Sequence, residues 1–344
     1  MRIRRLVTAP VVLVCAVLVC AVLFCAAGLP AQEQAPTFRT STELVLVDVQ
    51  VVHKKMKTPA PLLEQKHFEI FEDGEPRTIA TFGRDQFPLS VVLLFDLTDS
   101  VRPVLHRLAE GAKAALEHLK PEDEVAVMAY AASAQILDGF TKDRARTVDA
   151  IVRASYMKSD EAAFFNEGVF QAAQELREPE HESNRRVIIW LTDNLPNVPT
   201  EWNRAHNGRS VAPGDLHTQE QAVKELHERG ITVAPLLLTD MAMATATMPL
   251  RAVEALWYKS HPPGDANKYA EWTGGQAMRM SGKNADERLA ELIDELRSRY
   301  TIGFQPSRNK PSGTFSKLRV TLAPDGPLHP QDWKVLARDG YYRK

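Results

Sequence analysis

Apolar positions recur along this chain in two rhythms, and the switches between them mark out its organisation. Leu44-Val45-Leu46-Val47-Asp48-Val49-Gln50-Val51-Val52 is β-branched and apolar, which predicts a strand with a half-buried end. Phe68-Glu69-Ile70-Phe71-Glu72 alternates, Asp73-Gly74 is a hairpin turn signal, and 77–82 alternates again beyond it. Segment 38–86 therefore reads as a β module of three or more strands. From 87 to 298 the pattern changes to continuous apolar runs separated by helical periods. Ser90-Val91-Val92-Leu93-Leu94-Phe95 leads without interruption into Asp96, as a strand buried on both faces would. Residues 104–119 set Leu105, Leu108, Ala112, Leu116 and Leu119 on one helical face, closed by Pro121.

The same alternation of strand and helix continues. Glu124–Tyr130 is a second strand, and 134–140 a short third, close enough to pair antiparallel with it. Residues 164–176 read as helix, 186–193 as a buried strand ending in an acid, 218–228 as a helix stopped at Gly230, and 231–238 as another strand. A short helix closes over 269–272, Thr273-Gly274-Gly275 turns, and 285–300 forms a last amphipathic helix. This βα order predicts an α/β fold with a doubly wound, mostly parallel sheet of Rossmann type. Residues 299–344 return to β character, with strands at 300–304, 317–322 and 333–337. Neither terminal set of strands has enough core alone, so 299–344 is expected to pack with 38–86 as one β-sandwich beside the α/β domain of 87–298.

Composition narrows the setting. The 42 Lys+Arg and 44 Asp+Glu leave the charge near balance, so nothing points to nucleic acid. Met1-Arg2-Ile3-Arg4-Arg5 is basic, and the 21 residues of 9–29 carry no charge. Residues 1–31 read as a signal peptide ending at Ala31, or as an uncleaved signal anchor. The apolar run exceeds the usual core of about 7–15 residues and matches the ~20 that span a bilayer. Both readings export everything after residue 32, to the periplasm, the cell envelope or the exterior, and only the second leaves the chain in a membrane. Cys15, Cys20 and Cys25 all fall in this apolar run, so the exported part must be stable without disulfides.

The candidate chemistry lies where two buried strands end. Asp96, Thr98 and Ser100 would stand at the carboxyl end of one, where open α/β sheets place their ligands, and Asp193 would end another. Oxygen-only side chains of this kind suit a hard cation such as Mg²⁺. A plainer reading has Thr98, Asp99 and Ser100 capping the next helix. Asp96-x-Thr98-x-Ser100 resembles the metal-ion-dependent adhesion site of von Willebrand factor type A domains, with Thr98 in place of the first Ser. The resemblance implies that Thr98 and Ser100 bind Mg²⁺ directly and that Asp96 and Asp193 act mostly through water. It also implies an open position for an acidic side chain of a protein partner. The family's further Thr has no counterpart: the best register puts Ala163 there, with Ser159 or Asp160 as substitutes if the loop is repacked. Asp99 and Asn194 also stand where Gly is common. Over nearly the whole exported part, Phe68-Glu69-Ile70-Phe71-Glu72-Asp73-Gly74, Thr273-Gly274-Gly275, 296–306 and Ala337-Arg338-Asp339-Gly340-Tyr341 look like the related family abundant in Acidobacteria.

Enzymatic readings fare less well. Asp96 is similar to the nucleophile of haloacid-dehalogenase phosphatases, but Thr98 occupies the place of their second Asp, so the general acid is missing. There is no phosphate-cradling glycine loop after a strand, no His-Glu-x-x-His helix and no Gly-x-Ser-x-Gly elbow. His217 and His227 read as positions on a solvated helix, and Arg185-Arg186 as a solvated strand start. The expectation is an exported, non-enzymatic module for protein binding or adhesion. The alternative is a metal-independent envelope scaffold using Phe164, Phe165 and the loop 194–215 as contacts.

Overall fold

The computed structural model describes residues 44–157, 163–177, 184–196, 216–239 and 262–343. The predicted signal segment with its cysteines, Ser159 and Asp160, and the parts of the 194–215 loop and the Met-rich 241–265 stretch at 197–215 and 241–261 lie outside these residues. Among the described residues no helix is long and apolar enough to cross a membrane.

The centre of the molecule is a six-stranded sheet in the order β10-β9-β8-β5-β6-β7. Its members are β5 (Leu89–Asp96), β6 (Glu124–Tyr130), β7 (Ala134–Thr141), β8 (Arg185–Thr192), β9 (Thr232–Leu238) and β10 (Met278–Met280). All neighbours are parallel except β6 and β7, which run antiparallel. Every residue of β5 is buried, because helices cover both faces of the sheet. Val91, Leu93 and Phe95 join an apolar cluster with α1 (Arg102–Leu116), α2 (Arg144–Tyr156) and α6 (Ala285–Arg297). Val92 and Leu94 point the other way, toward α3 (Phe165–Glu175), α4 (Gln219–Arg229) and α5 (Ala266–Thr273). Each such side chain contributes about 1.5–3 kcal/mol of burial. The fold is thus the expected α/β layering, with Thr218 capping α4 through a hydrogen bond from Gln221 N. Gly274 closes α5 with φ of 75°; a Cβ there would come within 2.4 Å of the Ala337 carbonyl carbon.

The terminal strands form two further four-stranded sheets, β13-β1-β11-β4 and β14-β12-β2-β3. Here β1 is Val45–His53, β2 Phe68–Glu72, β3 Glu75–Arg77 and β4 Ile79–Arg84. The later members are β11 (Tyr300–Phe304), β12 (Phe315–Leu322), β13 (Trp333–Leu336) and β14 (Gly340–Tyr342). Val47 and Val49 of β1, Ile70 of β2, Ile302 of β11 and Val320 of β12 share one apolar cluster, so the two sheets face each other.

Several readings need correction. The alternating run 77–82 is not one strand: β3 pairs with β2 in one sheet, whereas β4 pairs with β11 in the other, with Thr78 between them. Helix α2 was not expected, because its inward face is made of the small or isolated residues Thr147, Ala150, Ile151 and Ala154. Its start is fixed by Asp143, whose side chain accepts from Ala145 N and Arg146 N. The first helix ends at Leu116 rather than 119, and the last ends at Arg297, releasing Tyr300 into β11. The short strand β10 also went unread, being only three residues long.

Candidate functional site

Asp96 ends β5 and is fully buried, so its carboxylate must be satisfied inside the protein. Its Oδ1 accepts from Thr98 N at 3.0 Å, and its Oδ2 from Thr192 Oγ1 at 2.8 Å and Tyr130 Oη at 3.1 Å. Tyr130 Oη in turn accepts from Trp190 Nε1 at 2.9 Å. The register explains the convergence: Asp96 lies opposite Tyr130 on β6, and Phe95 opposite Leu191, which brings Thr192 alongside. Burial, with the Asp193 charge nearby, pushes the Asp96 carboxyl up to about 6. Burial and the adjacent Asp96 likewise hold the Tyr130 phenol well above its usual value.

Above this buried carboxylate the hydroxyls form a chain. Thr98 Oγ1 lies 3.1 Å from Ser100 Oγ, and Ser100 Oγ donates to Asp193 Oδ2 at 2.5 Å. The other oxygen of Asp193 accepts from Leu195 N at 2.8 Å, which fixes the carboxylate's direction. The capping reading of these hydroxyls does not hold. Helix α1 begins after Val101 with no side-chain cap, and it is the Thr98 carbonyl that accepts from Val101 N and Arg102 N. Asp99 is exposed and pairs with Arg102 at 2.6 Å, away from the chain of hydroxyls.

Asn194 meets the backbone demand that a glycine usually answers, since it takes φ of 57°, a region Asn tolerates. Its side chain also ties the loop to α5, with Oδ1 accepting from Ala266 N at 2.8 Å and Nδ2 donating to Asp265 Oδ1 at 3.2 Å. Ala163 is fully buried and its methyl offers no oxygen.

The structure therefore gathers Asp96, Thr98, Ser100 and Asp193 at the carboxyl ends of the central strands β5 and β8, and adds Tyr130, Thr192 and Trp190 beneath them. Those three sit in strand positions that read as core, and only the pairing register reveals that their polar atoms converge. Among the described residues no three His, Cys, Asp or Glu side chains meet at a point that could hold a metal. The donor set here is of another kind, two hydroxyls and a carboxylate. Its hard oxygens fit a divalent cation such as Mg²⁺.

Several other readings change. Phe164 is 4% exposed and Phe165 is fully buried, packed against Trp190 at 4.8 Å, so neither can serve as a surface contact. His227 is buried against Trp272 O and Asp339, and His217 stacks on Phe170 at 3.5 Å while bonding Glu167 at 2.6 Å. Neither is a solvated helix position. Arg185 is likewise buried rather than solvated, paired with Asp48 at 2.8 Å.

Residues 91–195 match the family model of the von Willebrand factor type A domain. Among solved structures, the von Willebrand factor type A protein from Catenulispora acidiphila is 12% identical with a TM-score of 0.44, over 88% of this chain and 75% of that one. The conserved hypothetical protein BatB from Bacteroides thetaiotaomicron is 15% identical with a TM-score of 0.40, over 60% of this chain and 98% of its own. The von Willebrand factor domain of the type V pili tip protein Mfa5 from Porphyromonas gingivalis is 12% identical with a TM-score of 0.40, over 60% and 94%. No curated protein matches the chain.

Proposed function

We propose that the protein is a non-enzymatic protein-binding module of the von Willebrand factor type A kind, the family whose model residues 91–195 match. In this reading 87–298 is the binding unit, and 38–86 with 299–344 is a single supporting module. The basic and then apolar N-terminal sequence supports a location outside the cytoplasm.

The observation that carries the proposal is the Thr98–Ser100–Asp193 chain of oxygens, directed at one another rather than at the helix behind them. Thr98 Oγ1, Ser100 Oγ and Asp193 would hold Mg²⁺ directly, departing from the family pattern in which the acid acts mostly through water. A bound divalent cation supplies the positive charge on which an acidic side chain of a partner completes the contact. Asp96, committed to Thr98 N, Thr192 and Tyr130, positions the loop from below. Among the described residues only these three side chains offer direct donors and Ala163 offers none, so cation binding is weaker than at a site with the further hydroxyl. A phosphatase reading gains nothing from the geometry, since Asp96 is fully buried beneath the loop and cannot reach a substrate.

Thermal unfolding in Mg²⁺ and in EDTA tests the proposal. A ligand that binds only the folded state raises the melting temperature, so Mg²⁺ should raise it in the wild type and not in Asp193→Ala. Identical melting in the two solutions would contradict the proposal.

A further inference from the structure

Asp193 closes the chain of oxygens that runs from Thr98 through Ser100, and the residue after it is tied to two other parts of the fold. Asn194 holds φ of 57°, and its backbone N–H donates to Thr192 Oγ1 at 3.1 Å. That hydroxyl is the one that donates to Asp96 Oδ2 at 2.8 Å. The Asn194 side chain reaches away from β8 to the start of α5. Its Oδ1 accepts from Ala266 N at 2.8 Å, and its Nδ2 donates to Asp265 Oδ1 at 3.2 Å. One carboxamide thus meets two neighbouring groups of α5, a two-point clamp.

The element that Asn194 grips is itself fixed. Asp265 caps α5, accepting from Asn267 N at 2.9 Å. Ala266 and Tyr269 are fully buried in the apolar cluster that holds Trp190. Tyr269 Oη donates to Asn166 Oδ1 at 2.8 Å, and Thr273 Oγ1 accepts from Val233 N at 2.9 Å, which seats the far end of the helix on β9. The positive φ does not by itself call for this side chain, because a glycine takes that conformation at less cost. A glycine would, however, release the turn after β8 from α5 at this point. Two contacts of Asp193 depend on the course of the backbone through that turn. Leu195 N donates to its Oδ1 at 2.8 Å, and Ser100 Oγ donates to its Oδ2 at 2.5 Å.

We infer that Asn194 is a positioning residue: by clamping the turn after β8 to α5, it holds the Asp193 carboxylate in the direction that meets Ser100, before any cation arrives. Its consequence for metal affinity rests on the proposed cation site, whereas the clamp does not. A donor already held in place loses less conformational freedom on binding, and a binding constellation tolerates displacements of only about 0.5 Å. With no oxygen from Ala163, the placement of the remaining donors carries more of the affinity. Asn194 acts through Asp193 and not as a ligand, since its Oδ1 and Nδ2 are engaged by α5.

The test uses the full chain and two variants. Asn194→Gly keeps the positive φ and removes the clamp. Asp265→Ser keeps a capping oxygen for α5 but is too short to meet Asn194. Amide hydrogen exchange in EDTA, followed by ¹H–¹⁵N NMR, reads the clamp without metal. The Leu195 N–H should exchange about tenfold faster in Asn194→Gly, as the loss of a hydrogen bond allows, and by a smaller factor in Asp265→Ser. Leu94 in β5 should exchange as in the wild type. Calorimetric titration with Mg²⁺ then reads the consequence. Binding should weaken about three- to tenfold in Asn194→Gly, and the double variant should match that single variant, because both substitutions act on one contact. Unchanged Leu195 exchange in both variants would overturn the inference, as would faster exchange with Mg²⁺ affinity equal to the wild type. No saturable Mg²⁺ binding in the wild type would instead contradict the proposed cation site, and the exchange result would then decide the clamp alone. Should Asn194→Gly fail to fold, Asp265→Ser carries both measurements.

Discussion

Asp96 shows how much of this site depends on a side chain sealed from solvent. Removing it in Asp96→Ala leaves the Tyr130 and Thr192 hydroxyls buried without their acceptor, at a cost of about 3 kcal/mol, readable in urea unfolding. Tyr130→Phe should cost about 1–2 kcal/mol by the same measurement, since it strands Trp190 Nε1 as well. Ionisation adds a pH dependence. Burial pushes the carboxyl of Asp96 up to about 6, and that of Glu295 in α6 up to about 7. A raised folded-state value means that the folded protein keeps its proton after the unfolded chain has lost it. In EDTA, the stability contributed by these two carboxyls is therefore full below about pH 4 and falls as pH rises toward 7. Glu295→Gln should remove part of that fall, leaving the variant about 1–3 kcal/mol more stable than the wild type at pH 8. The acids and hydroxyls of the site were legible as residues, because strand ends and loop spacing advertise them. Tyr130 and Thr192 were not, because the apolar runs that contain them predict burial and say nothing of which polar atoms meet.

The elements around the site are constrained by close approach. Gly168 lies in α3, and a Cβ there would meet the Tyr130 ring at 2.7 Å. An alanine in a helix normally gains about 1 kcal/mol over glycine. Gly168→Ala should instead destabilise by about 1–3 kcal/mol through overpacking against Tyr130, as chemical denaturation would measure. Element type was most readable where a strand is buried on both faces, as in β5, or capped by a clear signal, as in α4. It was least readable in α2, whose Ala-rich inner face gives a weak period, and at Thr78, where an unbroken alternation conceals a change of sheet. Local pattern reports which face a residue turns inward. It cannot report which of two sheets that face belongs to.

At the scale of the whole molecule, the first and last described strands come together. Its terminal segments interleave strand by strand, since β1 lies between β13 and β11, and β12 between β14 and β2. A buried ion pair, Arg185–Asp48, joins that sandwich to the central sheet. Asp48→Ala should destabilise by about 3–5 kcal/mol, because it leaves Arg185 as an uncompensated buried charge; calorimetric unfolding would register this as a lower melting temperature. The pairing of the two chain ends was inferable from their shared β character, whereas the arginine-lined junction between layers was not. A basic pair at a strand start looks solvated until the covering layer is in place. The central claim concerns the carboxyl ends of β5 and β8, where Thr98, Ser100 and Asp193 converge. Its most direct test is calorimetric titration of Mg²⁺ into the full chain at neutral pH. Saturable one-site binding in the wild type, lost in Ser100→Ala and Asp193→Ala variants that still unfold cooperatively, is the predicted result. Absence of saturable binding in the wild type, or undiminished binding in both variants, would contradict it.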